Sequence, residues 1–197
     1  MRILVIAATG LTLLSTTVAA EEKEPAPTIQ DLDFLIGDWE IESHVYYHDE
    51  PDRLLFVENG KKTCAYDLRL NDKPMYITCN GQWTVENDKR KRYRETRDSI
   101  RYNRFLGAFE EIGVYSNWPA HGANRMRFDK ETRTLVIEGE LELPDGVIER
   151  LQTTITYNEA FDAYEARNVA NFTYLPVTQF NRVFTETGRK VSGGDNP

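Results

Sequence analysis

From Asp38 to His48 polarity alternates with a period of two residues. Trp39, Ile41, Ser43, Val45 and Tyr47 point one way, and Asp38, Glu40, Glu42, His44, Tyr46 and His48 the other. Neighbouring residues of a strand project to opposite faces, so one face here is buried and the other wet. Strand-like segments recur over 108–118, 124–128, 133–143, 147–157, 161–172 and 177–184, broken most plainly at Asp129-Lys130-Glu131, Pro144-Asp145-Gly146 and Asn158-Glu159. Strands joined in sequence by tight turns build an up-and-down sheet, and closing that sheet removes its edges. The expected fold is all-β, an antiparallel up-and-down β-barrel of about 8–10 strands.

Just before the first strand, Thr28 and Asp31 form a capping box, and Ile29, Leu32 and Leu35 or Ile36 share one face of a short helical turn. So short a helix needs an apolar support, and the floor of the barrel is the natural one.

Cys64 and Cys79 are the only cysteines. With Asn71-Asp72 as a two-residue hairpin loop, Leu70 faces Lys73, Leu68 faces Met75, Tyr66 faces Ile77 and Cys64 faces Cys79. The register predicts a disulfide and puts all of these except Lys73 on one inner face.

The ends point to export. Met1 and Arg2, an apolar run from Ile3 to Leu14 and small residues up to Ala20 make a secretory signal peptide over 1–20, with cleavage near Ala20 and a secreted or periplasmic product. The apolar run is too short for a membrane anchor. Residues 21–27 read as a disordered leader, 28–187 as the barrel and 188–197 as a flexible tail. The net charge of -8, one unit more negative once Arg2 leaves, argues against nucleic acid as a partner. One basic strip, 89–104, includes Arg90, Arg92, Arg94 and Arg97, and could meet an anionic glycan, lipid or protein surface.

Parity also proposes interior residues. Leu135, Ile137, Gly139 and Leu141 face inward, as do Leu151, Ile155 and Tyr157, which takes Glu149 and Thr153 with them; Phe180, Arg182 and Phe184 share a face. Glu149 and Arg182 thus become candidate buried charges, which need a partner or access to water. His44 and His48 fall on the charged face, so no metal site and no cofactor are expected.

Gly37-Asp38-Trp39 after a short helix, with Arg182 on the last strand, resembles the lipocalin and wider calycin pattern. There an arginine packs over the tryptophan and closes the floor. The span from Phe34 to Glu186 also resembles the DUF1579-like group of exported bacterial proteins with a lipocalin-like barrel, through 34–39 and the Ile100-Arg101-Tyr102-Asn103 turn. The resemblance implies structural roles for Gly37, Trp39 and Arg182 and a small hydrophobic ligand inside the barrel. The haem-binding nitrobindin branch has a longer glycine-rich motif and a late axial histidine, whereas no histidine follows His121 here.

Three functions follow as expectations. The first is an exported protein binding a hydrophobic or amphipathic small molecule, with Ile41, Tyr47, Tyr66, Leu68, Ile77, Leu141, Ile155 and Phe180 as lining. The second is an isomerase- or lyase-type enzyme with Glu149 as base, Tyr47 or Tyr157 as proton donor and His121 at the rim. The third is an interaction module working through the basic strip.

Overall fold

The computed structural model describes residues 26–85, 93–116, 121–142 and 147–191; the signal-peptide and cleavage readings lie outside them, as does most of the leader. A 3-10 helix, Ile29–Leu35, is followed by ten strands: β1 Gly37–Tyr46, β2 Leu54–Leu70, β3 Lys73–Val85, β4 Tyr93–Asn103, β5 Ala108–Tyr115, β6 His121–Asp129, β7 Thr134–Glu142, β8 Ile148–Tyr157, β9 Ala163–Phe172 and β10 Asn181–Lys190. Each pairs antiparallel with its neighbours in sequence, and β1 closes on β10, giving the up-and-down barrel that the alternation calls for.

One end is a dry floor. Ile29, Leu32 and Leu35 of the helix are buried against Trp39, Ile77, Ile100, Met126, Leu135, Tyr157 and Tyr164. Phe34 packs between Phe128, Tyr157 and Phe161. The helix is tied at both ends: Asp31 accepts from the Thr28 amide and from Lys130 of the β6–β7 turn, and the Trp39 indole N–H donates to the Leu35 carbonyl at 2.9 Å. Lys130 and then the Thr28 amide hold the Asp31 carboxyl below its usual pKa.

Cys64 stands opposite Cys79 in the β2–β3 ladder and the two are joined in a disulfide. The hairpin register agrees with the sequence at Tyr66–Ile77 and Leu70–Lys73. The inner face does not extend so far. β2 and β3 are longer than their neighbours; β1 pairs with β2 only up to Cys64, and β4 pairs with β3 only from Tyr76. The tip therefore projects past the floor, leaving Leu68 64 %, Leu70 60 % and Met75 41 % exposed.

Two more corrections lie on β10. Gly188, Arg189 and Lys190 belong to the strand rather than to a tail, because Lys190 pairs with Trp39 and Gly188 lies beneath the Tyr164 ring. The register also shifts between Arg182 and Phe184, so Arg182 leaves the parity that puts Phe184, Glu186 and Gly188 inside. Arg182 sits at the opposite end from Trp39, over the Tyr46 ring at 3.9 Å, and donates to the Pro51 carbonyl at 2.7 Å. The cation over Trp39 is Lys190, 5.2 Å from the ring centroid, with its side chain against Gly37.

Five of the inward-facing glycines make room for a neighbouring side chain. A Cβ at Gly60 or Gly81 would strike the Trp83 ring, at Gly113 Tyr115, at Gly139 Asn124 and at Gly188 Tyr164. Bare backbone at these points lets large side chains lie flat along the wall.

Candidate functional site

The other end of the barrel is built differently. Inward positions there carry Glu58 and Lys62 on β2, Arg94 and Asp98 on β4, Glu111 and Tyr115 on β5, Glu149 on β8 and Glu186 on β10. Arg94 clasps Glu58 through three hydrogen bonds of 2.7–3.2 Å and covers the Trp83 ring at 4.6 Å. Tyr164 donates to Glu186 at 2.6 Å, Asn124 to Glu111 at 3.0 Å and Asn168 to Thr153 at 2.8 Å.

The degree of burial separates the two halves. Floor residues that face inward are sealed: Trp39 is 2 %, Ile77 0 % and Leu135 1 % exposed. Lys62, Asp98, Glu111, Tyr115, Glu149 and Glu186 also face inward but are only half-buried, and so are Val45, Phe56, Ile137, Leu151, Ile155 and Phe184. These inward side chains are thus covered less completely than those of the floor. The upper half is a chamber whose wall mixes carboxylates on β2, β4, β5, β8 and β10 with apolar side chains on β1, β2, β7, β8 and β10.

Three polar atoms on the inner wall are buried without a hydrogen-bond partner among the described residues: Trp83 Nε1, Thr96 Oγ1 and Asn124 Oδ1. A buried polar group left unpaired costs about 1–3 kcal/mol, so native proteins give such atoms water or a ligand.

Asp98 lies opposite Cys79 and Gly113, and Glu111 opposite Ile100 and Asn124, which makes the two carboxylates diagonal neighbours on adjacent strands. Burial, then the Glu111 charge, push Asp98 up to about 7, against the pull of Lys62 and Arg94. Burial raises Glu111 too, opposed by the Asn124 hydrogen bond and Lys62, and burial alone raises Glu149. Tyr115 is raised by burial and by the Asp98 and Glu111 charges.

A pH dependence of stability follows. Folded Asp98 keeps its proton above the ordinary 3.8, where the unfolded chain has lost it. Its contribution to stability is full below about 3.8 and lost as pH rises through about 7. Denaturant midpoints of the wild type should fall across this window, and Asp98→Asn should flatten the fall. An unchanged slope in the variant would refute the assignment.

Of the expected lining, Ile41 and Ile77 are buried on the inner face, Ile77 at the sealed floor, and Ile155 is half-buried on the chamber wall. Tyr66 belongs to the floor; its hydroxyl donates to Asp33, and burial with that bond pushes it up to about 12. Leu68 is on the overhanging tip. Phe180 is 49 % exposed and lines an outer groove with Arg125, Glu138, Glu140 and Arg150. It precedes β10, and the Asn171 amide, donating to the Pro176 and Gln179 carbonyls, folds that connection back. For Leu141 only the backbone is described, opposite Glu149.

The acid–base group drawn from the sequence is split, with Tyr157 at the floor and Glu149 toward the mouth. Glu149 and Tyr157 lie at opposite ends of β8, about 26 Å apart at roughly 3.3 Å per residue. Tyr47 is in the mouth loop beneath the Arg53 guanidinium, 3.7 Å from its ring centroid. His121 is described by its backbone, opposite Val114. His44 bonds Glu42 on the outer face, and His48 stacks near Phe172 and meets the Tyr174 hydroxyl at 2.6 Å.

The basic strip is divided. Arg94 turns inward, Arg101 pairs with Glu110 at 2.8 Å and Arg97 lies 3.8 Å from Asp67. Arg90 and Arg92 lie outside the described residues. Sequence reading missed Asp98 and Glu111, although Ile100 and Tyr102 share parity with Asp98, and Phe109 and Gly113 with Glu111.

Among the described residues no helix is long and apolar enough to cross a membrane, and no three His, Cys, Asp or Glu side chains are grouped to hold a metal. No protein-family model matches the chain, and no curated protein matches it either.

Proposed function

We propose that this is an exported calycin-like barrel that binds an amphipathic small molecule in its upper chamber. The observation that carries the reading is the half-buried inner wall, where inward carboxylates and unpaired polar atoms occur together with Ile137, Leu151 and Ile155. A ten-stranded barrel is wider than the eight-stranded ones whose side chains just fill them, which leaves room for a guest. The apolar side chains favour a chain or ring, and the polar ones fix its head. The Cys64–Cys79 disulfide agrees with an oxidising compartment and hence with the leader over 1–20.

Native mass spectrometry of the protein expressed with its leader tests both parts. The expected spectrum shows a chain beginning at Glu21 carrying a small adduct that is lost on denaturation. A bare chain that also takes up no amphipathic probe would end the binding reading, and a mass retaining 1–20 would end the export reading.

A further inference from the structure

We propose that the chamber selects a ligand with a cationic nitrogen head group, an alkylammonium in its simplest form, held at Asp98, Glu111 and Asn124 with its chain along Ile137, Leu151 and Ile155. The inference rests on the binding reading above and deepens it by naming the ligand's charge.

The first argument is charge. Of the carboxylates on the inner wall, Glu58 is matched by Arg94. Asp98, Glu111, Glu149 and Glu186 are left with Lys62 as the chamber's other cation among the described residues, since Lys190 lies over Trp39 at the floor. An anionic head would meet like charge on several sides. A neutral chain would leave the acids unpaired in a place water reaches only through the barrel.

The second argument is hydrogen bonding and is independent of charge. The Asn124 amide nitrogen donates to Glu111, which fixes the amide orientation and leaves its oxygen, lying against the bare Gly139 backbone, as a buried unpartnered acceptor. Thr96 Oγ1, opposite Gly81 and Tyr115 on β4, is a second unpartnered oxygen able to accept. Lys62 and the Tyr115 hydroxyl are the donors already near these acids, and neither bonds Asn124 Oδ1 or Thr96 Oγ1; an ammonium brings three further N–H donors and no acceptor. Such bonds between ionised partners are about twice as strong as neutral ones.

Linkage gives the pH dependence. Asp98 is faced by Glu111 and Tyr115 from β5, Lys62 from β2, Arg94 on its own strand and Glu186 from β10. Near neutrality it is divided between its neutral and charged forms, and a cation binds the charged form better. Affinity for a cation should therefore rise with pH through about 7, while affinity for a neutral chain should not.

The test uses three probes of equal chain length, decylammonium, decanol and decanoate, titrated into the mature wild-type protein with Trp83 fluorescence and calorimetry as readouts. Decylammonium is expected to bind at a single site about tenfold or more tighter than either of the others at neutral pH, with an affinity that climbs from about pH 5.5 to about pH 8. The Asp98→Asn/Glu111→Gln variant should lose that preference and bind decylammonium about as well as decanol; its thermal transition shows that it is folded. Decanol or decanoate binding as tightly as decylammonium to the wild type would overturn the cation inference and leave the binding reading standing. Saturable binding of none of the three would overturn both. A double variant that is folded and keeps the preference would move the head group away from β4 and β5 and refute the site.

Discussion

Arg94→Met is expected to destabilise the fold by about 3–5 kcal/mol at neutral pH. Glu58 is 6 % exposed, and Arg94 supplies all three of the hydrogen bonds described for its carboxylate. Removing the guanidinium strands that charge inside the wall, strips the cation from the Trp83 face and takes away one of the two positive charges that oppose the rise of Asp98. The measure is a lower denaturant midpoint with an unchanged slope. Glu58→Gln in the same background should recover most of the loss, because a neutral amide costs far less to bury than an unmatched carboxylate. A single variant as stable as the wild type would show that water, not Arg94, satisfies Glu58.

Trp39→Ala should cost a similar amount, about 3–5 kcal/mol, for a different reason. The indole joins the helix to the barrel: its N–H meets the Leu35 carbonyl, its ring contacts Tyr157 and Tyr164, and Lys190 lies on its other face. Truncation opens a hole at the point where the floor is sealed and frees the helix that depends on it. A midpoint shift well below this range would mean that the helix does not rest on Trp39. The same measurement on Arg182→Met separates the two ends, since that residue ties β10 to the Pro51 loop and should leave the Trp39 environment untouched.

Much of the architecture was legible because a strand repeats every two residues and a buried tryptophan sets the phase. Trp39 fixed β1, the Asn71-Asp72 turn fixed the β2–β3 register, and the register located the disulfide. Parity fails where the backbone breaks step. The shift beside Val183 carries no side-chain signature, so parity alone puts Arg182 on the face of Phe184, while the calycin resemblance puts it at the floor, where Lys190 lies instead. Parity also names a face without saying whether anything covers it, which is why Leu68, Leu70 and Met75 read as interior although no strand reaches them.

The chamber was the least legible part. Charged residues on strands usually point to water, so the basic strip over 89–104 reads as a surface that meets an anion or pairs with neighbouring acids. Its inward members are Arg94, Thr96, Asp98, Ile100 and Tyr102, and only the last two look like interior residues. An acid on that side becomes intelligible once Lys62, Arg94 and Asn124 are brought around it by strands distant in sequence.

The overhanging hairpin has a mechanical consequence. Residues 68–75 form a cantilever, and the disulfide lies just behind its root, on the last rung where β1 still flanks β2 through the Gly37–Cys64 pair. A bending load on the tip meets a covalent clamp before it can peel β2 from β3 within the wall. Lys62 and Gly60, the next inward positions up the strand, are thereby shielded from whatever pulls on the tip.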